Sequence, residues 1–435
     1  MRKNRVHITT LGCPKNQVDS EVLAAQLMAN GYSFANSSEE ADIAVINTCG
    51  FIDAAKQESI ETILKIAQQK KSGHLKKLIV TGCLVERYRN ELKKDLREVD
   101  AFFGTNELGN VLTEFRAEYK YEMLGDRVLS TPGHYAYLKI SEGCDNPCSF
   151  CAIPLMRGRH VSKTIEEIIH EAELLAEKGV KELIIVGQDT TYYGLDIYGK
   201  RELPRLMSSL NEVKDIEWIR LMYAYPAKFP EEVLDIIRDS EKICKYIDIP
   251  IQHVSDSVLK SMRRGITRRK LEDLLYQIRK KIPEIAIRST LIVGYPSEGE
   301  KEFDELLQFV NEFKFERLGA FTYSVEDGTT AAILGDPIPQ DEKERRHAVI
   351  MEAQRKIIAE LNGRKIGKTL RVLVDKKAED NGQETGKNFV GRTNQDAPEI
   401  DSEVVITSHR NLAPGSFVNA TINDAYEHDL YGTAN

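Results

Sequence analysis

No apolar run in this chain approaches the roughly 20 residues a membrane-spanning helix needs. The first ten residues, Met1 to Thr10, are basic but are followed by no apolar segment of signal-peptide type. These absences point to a cytoplasmic protein with no membrane partner. Excess positive charge is missing too: the formal net charge is −8. Nucleic acid binding would therefore need a local basic patch, because phosphate neutralisation dominates such affinity. There is one tryptophan, no internal repeat and no low-complexity stretch. Seven cysteines, an odd number in a reducing compartment, argue against a disulfide framework and leave ligation or catalysis.

What is present is a chain of 435 residues with 41% hydrophobic and 29% charged residues, ample for several packed domains. Residues 1–130 alternate apolar runs (Val6–Thr10, Ile43–Ile46, Leu78–Val80, Ala101–Phe103) with helical stretches (Val18–Met28, Ala54–Ala67). That alternation predicts a parallel α/β domain. Residues 106–133 are polar and charged and read as a linker.

Residues 131–363 carry six further strand candidates, Ala136–Ile140, Leu183–Val186, Trp218–Met222, Tyr246–Ile249, Ile285–Ile292 and Arg317–Tyr323. Thr164-Ile-Glu-Glu167 is a capping box that starts one of the helices between them. Six strand–helix units predict a partial (β/α)6 barrel, followed by a charged helix from Asp341 to Leu361. Residues 364–435 hold short β runs (Leu370–Val374, Phe389–Arg392, Val404–Thr407, Phe417–Ile422) broken by turns at Asn381-Gly382 and Pro414-Gly415. They predict a small antiparallel β barrel. The expected fold class is thus α/β with a third, all-β unit.

The most informative stretch is Glu142-Gly-Cys144-Asp-Asn-Pro-Cys148-Ser-Phe150-Cys151, which follows a predicted strand. It offers three thiolates within eight residues. A 4Fe–4S cluster is commonly held by four thiolates, so three local ligands would leave one iron open for chemistry. A structural zinc knuckle is the competing reading, but zinc sites close with four ligands and this loop has no fourth candidate; His160 is nine residues on. Cys13, Cys49 and Cys83 are far apart in sequence, yet each falls just after a predicted strand of the first domain. Ligands gather at the carboxyl ends of parallel strands, and Gly12 and Gly82 allow close backbone approach. Three small buried hydrophobes compete with a second cluster here. Cys244 stands alone and reads as structural.

The CxxxCxxC spacing with Phe150 before its last cysteine resembles the radical-SAM superfamily. With the three N-terminal cysteines and the terminal barrel, the whole chain resembles the methylthiotransferase family, whose last domain is a TRAM domain. The run Leu11-Gly-Cys13-Pro14-Lys15-Asn16-Gln-Val-Asp-Ser20-Glu21 is similar to the branch that modifies a ribosomal protein, as are Pro154-Leu-Met-Arg157-Gly158 and Ile249-Pro-Ile-Gln252-His253. The resemblance implies two 4Fe–4S clusters, on Cys13, Cys49 and Cys83 and on Cys144, Cys148 and Cys151, with S-adenosylmethionine (SAM) as cofactor. It implies transfer of a methylthio group to the β-carbon of an aspartate in the twelfth protein of the small ribosomal subunit. One SAM would methylate a sulfur at the first cluster, and a second would be cleaved to a radical at the other.

Beside the cysteines, the resemblance implies cofactor contacts for Phe150, for Gln188 (in Gly187-Gln188-Asp189-Thr190-Thr191) and for Arg288. For Gln188 a helix-capping turn competes, and for Arg288 an ion pair with a barrel acid. His253 is a candidate substrate contact, against an ordinary hydrogen-bonded role. A one-electron donor such as flavodoxin or ferredoxin is an implied partner. The basic run Arg263–Lys270 offers a weak ribosomal RNA contact, against a solvated helix face. Residues 365–435 hold eight Lys and Arg against eleven Asp and Glu, a net of −3. An acidic barrel suits a basic ribosomal protein better than RNA. A tRNA adenosine methylthiotransferase and a non-catalytic electron carrier are the alternative functions.

Overall fold

The computed structural model describes residues 4–71, 73–378 and 386–434. The expected turn at Asn381-Gly382 lies outside the described residues.

The first unit is a five-stranded parallel sheet of β1 (Arg5–Thr10), β2 (Ser33–Phe34), β3 (Ile43–Thr48), β4 (Lys77–Gly82) and β5 (Ala101–Phe103), in the order β2-β1-β3-β4-β5. Helices α1 (Pro14–Ala29), α2 (Asp53–Lys71) and α3 (Cys83–Asp95) connect the strands. β3 is buried along its whole length, as a central parallel strand covered on both faces should be. The stretch read as a linker is partly folded. It contains helix α4 (Leu108–Glu114), and Val111, Leu112 and Phe115 bury against Val6, Val45 and Ile79. Their i, i+1, i+4 spacing is helical, a short signal among polar neighbours. Farther on, the buried Arg127 guanidinium pairs with Glu21 of α1 at 3.1 Å and with Glu171 at 3.2 Å. That pair of contacts pins the segment between the first two units.

The second unit begins with β6 (Tyr135–Lys139), a short ribbon of β7 (Ser141–Glu142) and β8 (Val161–Ser162), and helices α5 (Ile153–Arg157) and α6 (Ile165–Glu177). Thr164 caps α6, accepting from Glu167 N at 3.2 Å while Thr164 N donates to the Glu167 carboxylate at 2.8 Å. β9 (Glu182–Val186), β10 (Trp218–Leu221), β11 (Ile243–Asp248), β12 (Ala286–Val293) and β13 (Arg317–Thr322) complete a six-stranded sheet in the order β13-β12-β11-β10-β9-β6. Every pairing is parallel and every neighbour is sequential, which is an open (β/α)6 barrel. The helix after it spans Gln340–Gly363 and buries Ile350 and Ile357.

The third unit is a closed barrel of β14 (Thr369–Lys377), β15 (Lys387–Thr393), β16 (Val404–Ser408), β17 (Phe417–Tyr426) and β18 (Asp429–Ala434). Four of its five pairings are antiparallel; β16 and β18 run parallel. The sequence reading lacked β18, because Leu430 is its one fully buried apolar side chain.

The third unit docks on the bottom of the open barrel through a buried ion network. Glu182 accepts from Arg220 Nε and from Arg392 Nη1, each at 2.7 Å, and Arg392 also grips Asp375. Arg317 pairs with Asp396 and Arg288 with Asp401. Trp218 meets Phe417 edge to face at 4.9 Å across the same boundary. This arrangement corrects the charge argument for the terminal barrel. Asp375, Asp396, Asp401 and Arg392 are spent inside the interface, so the net of −3 becomes −1 for the rest.

Candidate active site

Cys13, Cys49 and Cys83 follow β1, β3 and β4, three neighbouring strands whose ends are in register at Thr10–Asn47 and Thr48–Gly82. Parallel strands lie about 4.8 Å apart, so the three residues share one edge. Cys13 is the N-cap of α1, Cys83 is the first residue of α3, and Cys49 is tied to Ser59 of α2 through both its N–H (3.1 Å) and its carbonyl (2.9 Å). The approach is close enough to require glycine. A Cβ on Gly12, at φ +88°, would fall 2.7 Å from Cys49 Cβ and 2.9 Å from its sulfur. Asn16 braces the edge by donating to the Leu11 carbonyl (2.8 Å) and the Thr48 carbonyl (3.0 Å).

The second set sits on the loop between β7 and α5. Gly143 enters it at φ +75°, where a Cβ would lie 2.0 Å from the Arg159 carbonyl oxygen. Cys144 N donates to the Gly158 carbonyl (3.2 Å) and Cys151 N to the Cys148 carbonyl (3.2 Å). Ser149 N donates to the Met262 carbonyl (3.0 Å), which stitches the loop to the barrel wall. Phe150 packs into a small apolar cluster with Val258, Met262, Tyr295 and Tyr323.

Each set is chemically suited to a cluster. Burial pushes the Cys83 thiol up to about 12, and the sulfurs of Cys13 and Cys49 add to it against the pull of Arg157. Burial raises Cys49 likewise, with Cys13 as a neighbouring sulfur. Burial lifts Cys151 to about 12 and Cys144 to about 11, again with help from the sulfurs of its own set. Buried thiols this crowded become thiolates together only around positive charge, which a metal centre supplies. Among the described residues no three His, Cys, Asp or Glu side chains converge on a single ion.

The two sets share a wall. α5 runs from the cysteine loop onto α3, and Ala152 and Met156 pack against Cys83. Its last residue, Arg157, donates from Nε to Cys83 Sγ at 3.3 Å, from Nη1 to Asp19 at 2.7 Å and to Glu142 at 3.1 Å, and from Nη2 to Asn16. Arg264 does the equivalent for the other set, donating from Nη1 to Cys148 Sγ at 3.3 Å while stacked 4.3 Å over the Tyr225 ring. Arg157 had no role assigned from sequence, and Arg264 entered only as part of the basic run offered to RNA. Arg264 belongs to the basic run read as surface, and its burial at 4% exposure removes it from that face.

The remaining candidates divide. Gln188 Nε2 donates to Glu142 at 2.6 Å, leaving its Oε1 buried without a partner, an acceptor that fits an ammonium donor such as the SAM amino group. The capping turn exists as well, but on Asp189, which accepts from Thr191 N at 2.9 Å. Arg288 is occupied by Asp248 at 2.9 Å and Asp401 at 3.5 Å, the ion pair that competed with a cofactor role. His253 is fully buried, accepts from Ser255 N at 3.0 Å and lies 3.2 Å from Glu298, so it does not face an open site. Cys244 is buried in an apolar cluster with Trp218 and Tyr246.

An open parallel barrel with a three-cysteine loop at the carboxyl ends of its strands defines the radical-SAM class of enzymes. The comparisons agree. Residues 138–310 match the radical SAM superfamily, residues 5–104 the uncharacterized protein family UPF0004, and residues 366–434 the TRAM domain. Among solved structures, the radical S-adenosylmethionine methyltransferase TsrM from Kitasatospora setae aligns with a TM-score of 0.57 at 14% identity, over 76% of this chain and 77% of that one. The cobalamin-dependent radical enzyme OxsB gives 0.53 at 13% identity, over 81% and 57%. At such identities these two support the fold alone.

Full-length relatives carry the assignment further. Proteins described as ribosomal protein uS12 methylthiotransferase RimO are 53% identical in Cytophaga hutchinsonii (99% of this chain, 98% of the relative), 52% in Flavobacterium johnsoniae (99% and 98%) and 49% in Chloroherpeton thalassium (99% and 99%). The chain belongs to the RimO family of radical-SAM methylthiotransferases, enzymes that use SAM and 4Fe–4S clusters.

Proposed function

We propose that this protein adds a methylthio group to the β-carbon of an aspartate in ribosomal protein uS12, with Cys13, Cys49 and Cys83 holding one cluster and Cys144, Cys148 and Cys151 the other. When bound, the clusters supply one-electron cleavage of SAM and a held sulfur, chemistry that no side chain of the protein can provide. The protein's own residues place and shield the reactants. Gln188, oriented by Glu142, offers its free Oε1 to the cofactor amino group. Arg264 and Arg157 donate to one ligand sulfur in each set, which steadies the negative charge there. α5 fixes the spacing between the two sets, so the carbon to be opened and the sulfur to be delivered are held within one site.

The observation that carries this reading is the pair of three-cysteine sets sharing the wall of α5. A 4Fe–4S cluster held by each set would have one iron without a thiolate from these cysteines. In this reading an external one-electron donor such as flavodoxin or ferredoxin works on the protein in the cytoplasm. The exposed Arg269 on the helix after Gly265 gives a weak contact to ribosomal RNA near the substrate.

The test is anaerobic incubation of the cluster-loaded protein with SAM, a strong reductant and a peptide bearing the target aspartate. One methylthio group should replace one hydrogen on that residue. No added mass on the peptide, with modified nucleosides appearing in added tRNA, would move the activity to RNA.

A further inference from the structure

Lys15 stands two residues after Cys13, in the first turn of α1, and is only 7% exposed. A buried ammonium normally needs a carboxylate, and a cation at a helix N-terminus also opposes the helix dipole. Lys15 has no carboxylate within salt-bridge distance among the described residues. Its Nζ lies 3.4 Å over the ring of Tyr223, beyond the carboxyl end of β10. The Tyr223 backbone is held in place: at φ +59°, its N–H donates to Asp248 at 3.0 Å and its carbonyl accepts from Thr190 Oγ1 at 3.2 Å.

The nearby charges do not balance. Lys139 and Arg157 share the two local carboxylates, Asp19 and Glu142, between them. Among these side chains three cations therefore face two carboxylates, and Lys15 is left with the ring and hydroxyl of Tyr223 and the sulfur of Cys13. A cation–π contact offsets only part of the desolvation of an ammonium. A cluster on Cys13, Cys49 and Cys83 would add thiolate charge on one side, but among the described residues no carboxylate pairs with Lys15, which stands between the first cysteine set and the mouth of the open barrel.

We propose that Lys15 is the specificity-determining residue for the target side chain, pairing with the carboxylate of the incoming aspartate. This rests on the reading above that the target is an aspartate. The β-carbon is bonded directly to that carboxylate carbon. Gripping the carboxylate next to Cys13 brings the carbon to be modified alongside the sulfur to be delivered. An asparagine of the same shape lacks the charge and leaves Lys15 under-paired.

The test uses the full-length protein with both clusters loaded and two synthetic peptides spanning the target position of uS12, one with aspartate and one with asparagine there. Wild type should bind the aspartate peptide about tenfold to a hundredfold more tightly, the scale of a buried charge-assisted hydrogen bond. Lys15→Met should bind both as weakly as wild type binds the asparagine peptide, and Lys15→Arg should keep part of the preference. Iron content and the cluster EPR signals should be unchanged in Lys15→Arg. Equal wild-type affinity for the two peptides, or no measurable affinity for either, overturns the proposal without use of any variant. So does a Lys15→Met protein that keeps the preference while its first cluster changes potential, since Lys15 would then only balance cluster charge. Methylthio addition to the aspartate peptide by wild type is scored separately: its absence counts against the function proposed above, whereas equal addition to both peptides counts against Lys15 alone.

Discussion

Arg157 Nε sits 3.3 Å from Cys83 Sγ, although the arginine belongs to the cysteine-loop side of the open barrel and the cysteine to the N-terminal sheet. A cation donating to a ligand sulfur favours the more negative, reduced state of a cluster. Arg157→Lys keeps the charge but loses the planar fork that reaches Cys83, Asn16, Asp19 and Glu142 together. The midpoint potential of the cluster on Cys13, Cys49 and Cys83 should fall, on the order of tens of millivolts, while the other cluster stays put. Potentiometric EPR on wild type and Arg157→Lys checks this.

Gln188→Leu removes the buried Oε1 acceptor and leaves the volume nearly unchanged. SAM affinity should drop about tenfold or more, the scale of a hydrogen bond to a charged group. Iron content should be unaffected, because Gln188 touches no cysteine. Equilibrium dialysis with SAM under anaerobic conditions reads the first quantity and colorimetric iron assay the second.

Glu182→Gln should uncouple the terminal barrel from the open barrel. Glu182 carries both Arg220 and Arg392, all three fully or almost fully buried, and breaking such a pair costs roughly 3–5 kcal/mol. Trp218, the one tryptophan, is 2% exposed and packs on Phe417 of the terminal barrel, so it reports on this boundary. Its emission should shift to the red at a lower urea concentration in the variant than in wild type.

The same boundary should be acid-sensitive. Burial opposes the charge on Asp375, but His134 and Arg392 outweigh it and hold the carboxyl below the ordinary range. Arg317 and Lys365 do the same for Asp396 against its burial. A depressed carboxyl contributes stability in full above its unfolded value of about 4, and that contribution is lost as pH falls through the lower folded value. Urea midpoints followed by Trp218 emission should be flat from pH 7 to about pH 5 and fall steeply below about pH 4.

Most of the strands were legible because parallel, doubly covered strands are continuous apolar runs: Ile43–Thr48 and Glu182–Val186 could be little else. The placing of Cys13, Cys49 and Cys83 at the ends of neighbouring strands was legible too, from the position of each cysteine after an apolar run. What the sequence hid were charges whose partners lie far along the chain. Arg157 meets Asp19 across 138 positions and Arg392 meets Glu182 across 210. Arg264 sits in a basic run, and only the fold turns it inward while Arg269 stays exposed. Helix α4 was missed because its two buried residues, Val111 and Leu112, are embedded in a polar stretch.

The central claim is that two separate cysteine sets each hold one 4Fe–4S cluster. Iron and sulfide analysis of anaerobic preparations tests it most directly, on wild type and on the two triple alanine variants, one at positions 13, 49 and 83 and one at 144, 148 and 151. The account predicts about eight of each element per wild-type chain and about four in each variant. Wild type with about four, or a variant at 13, 49 and 83 that still holds about eight, would contradict it.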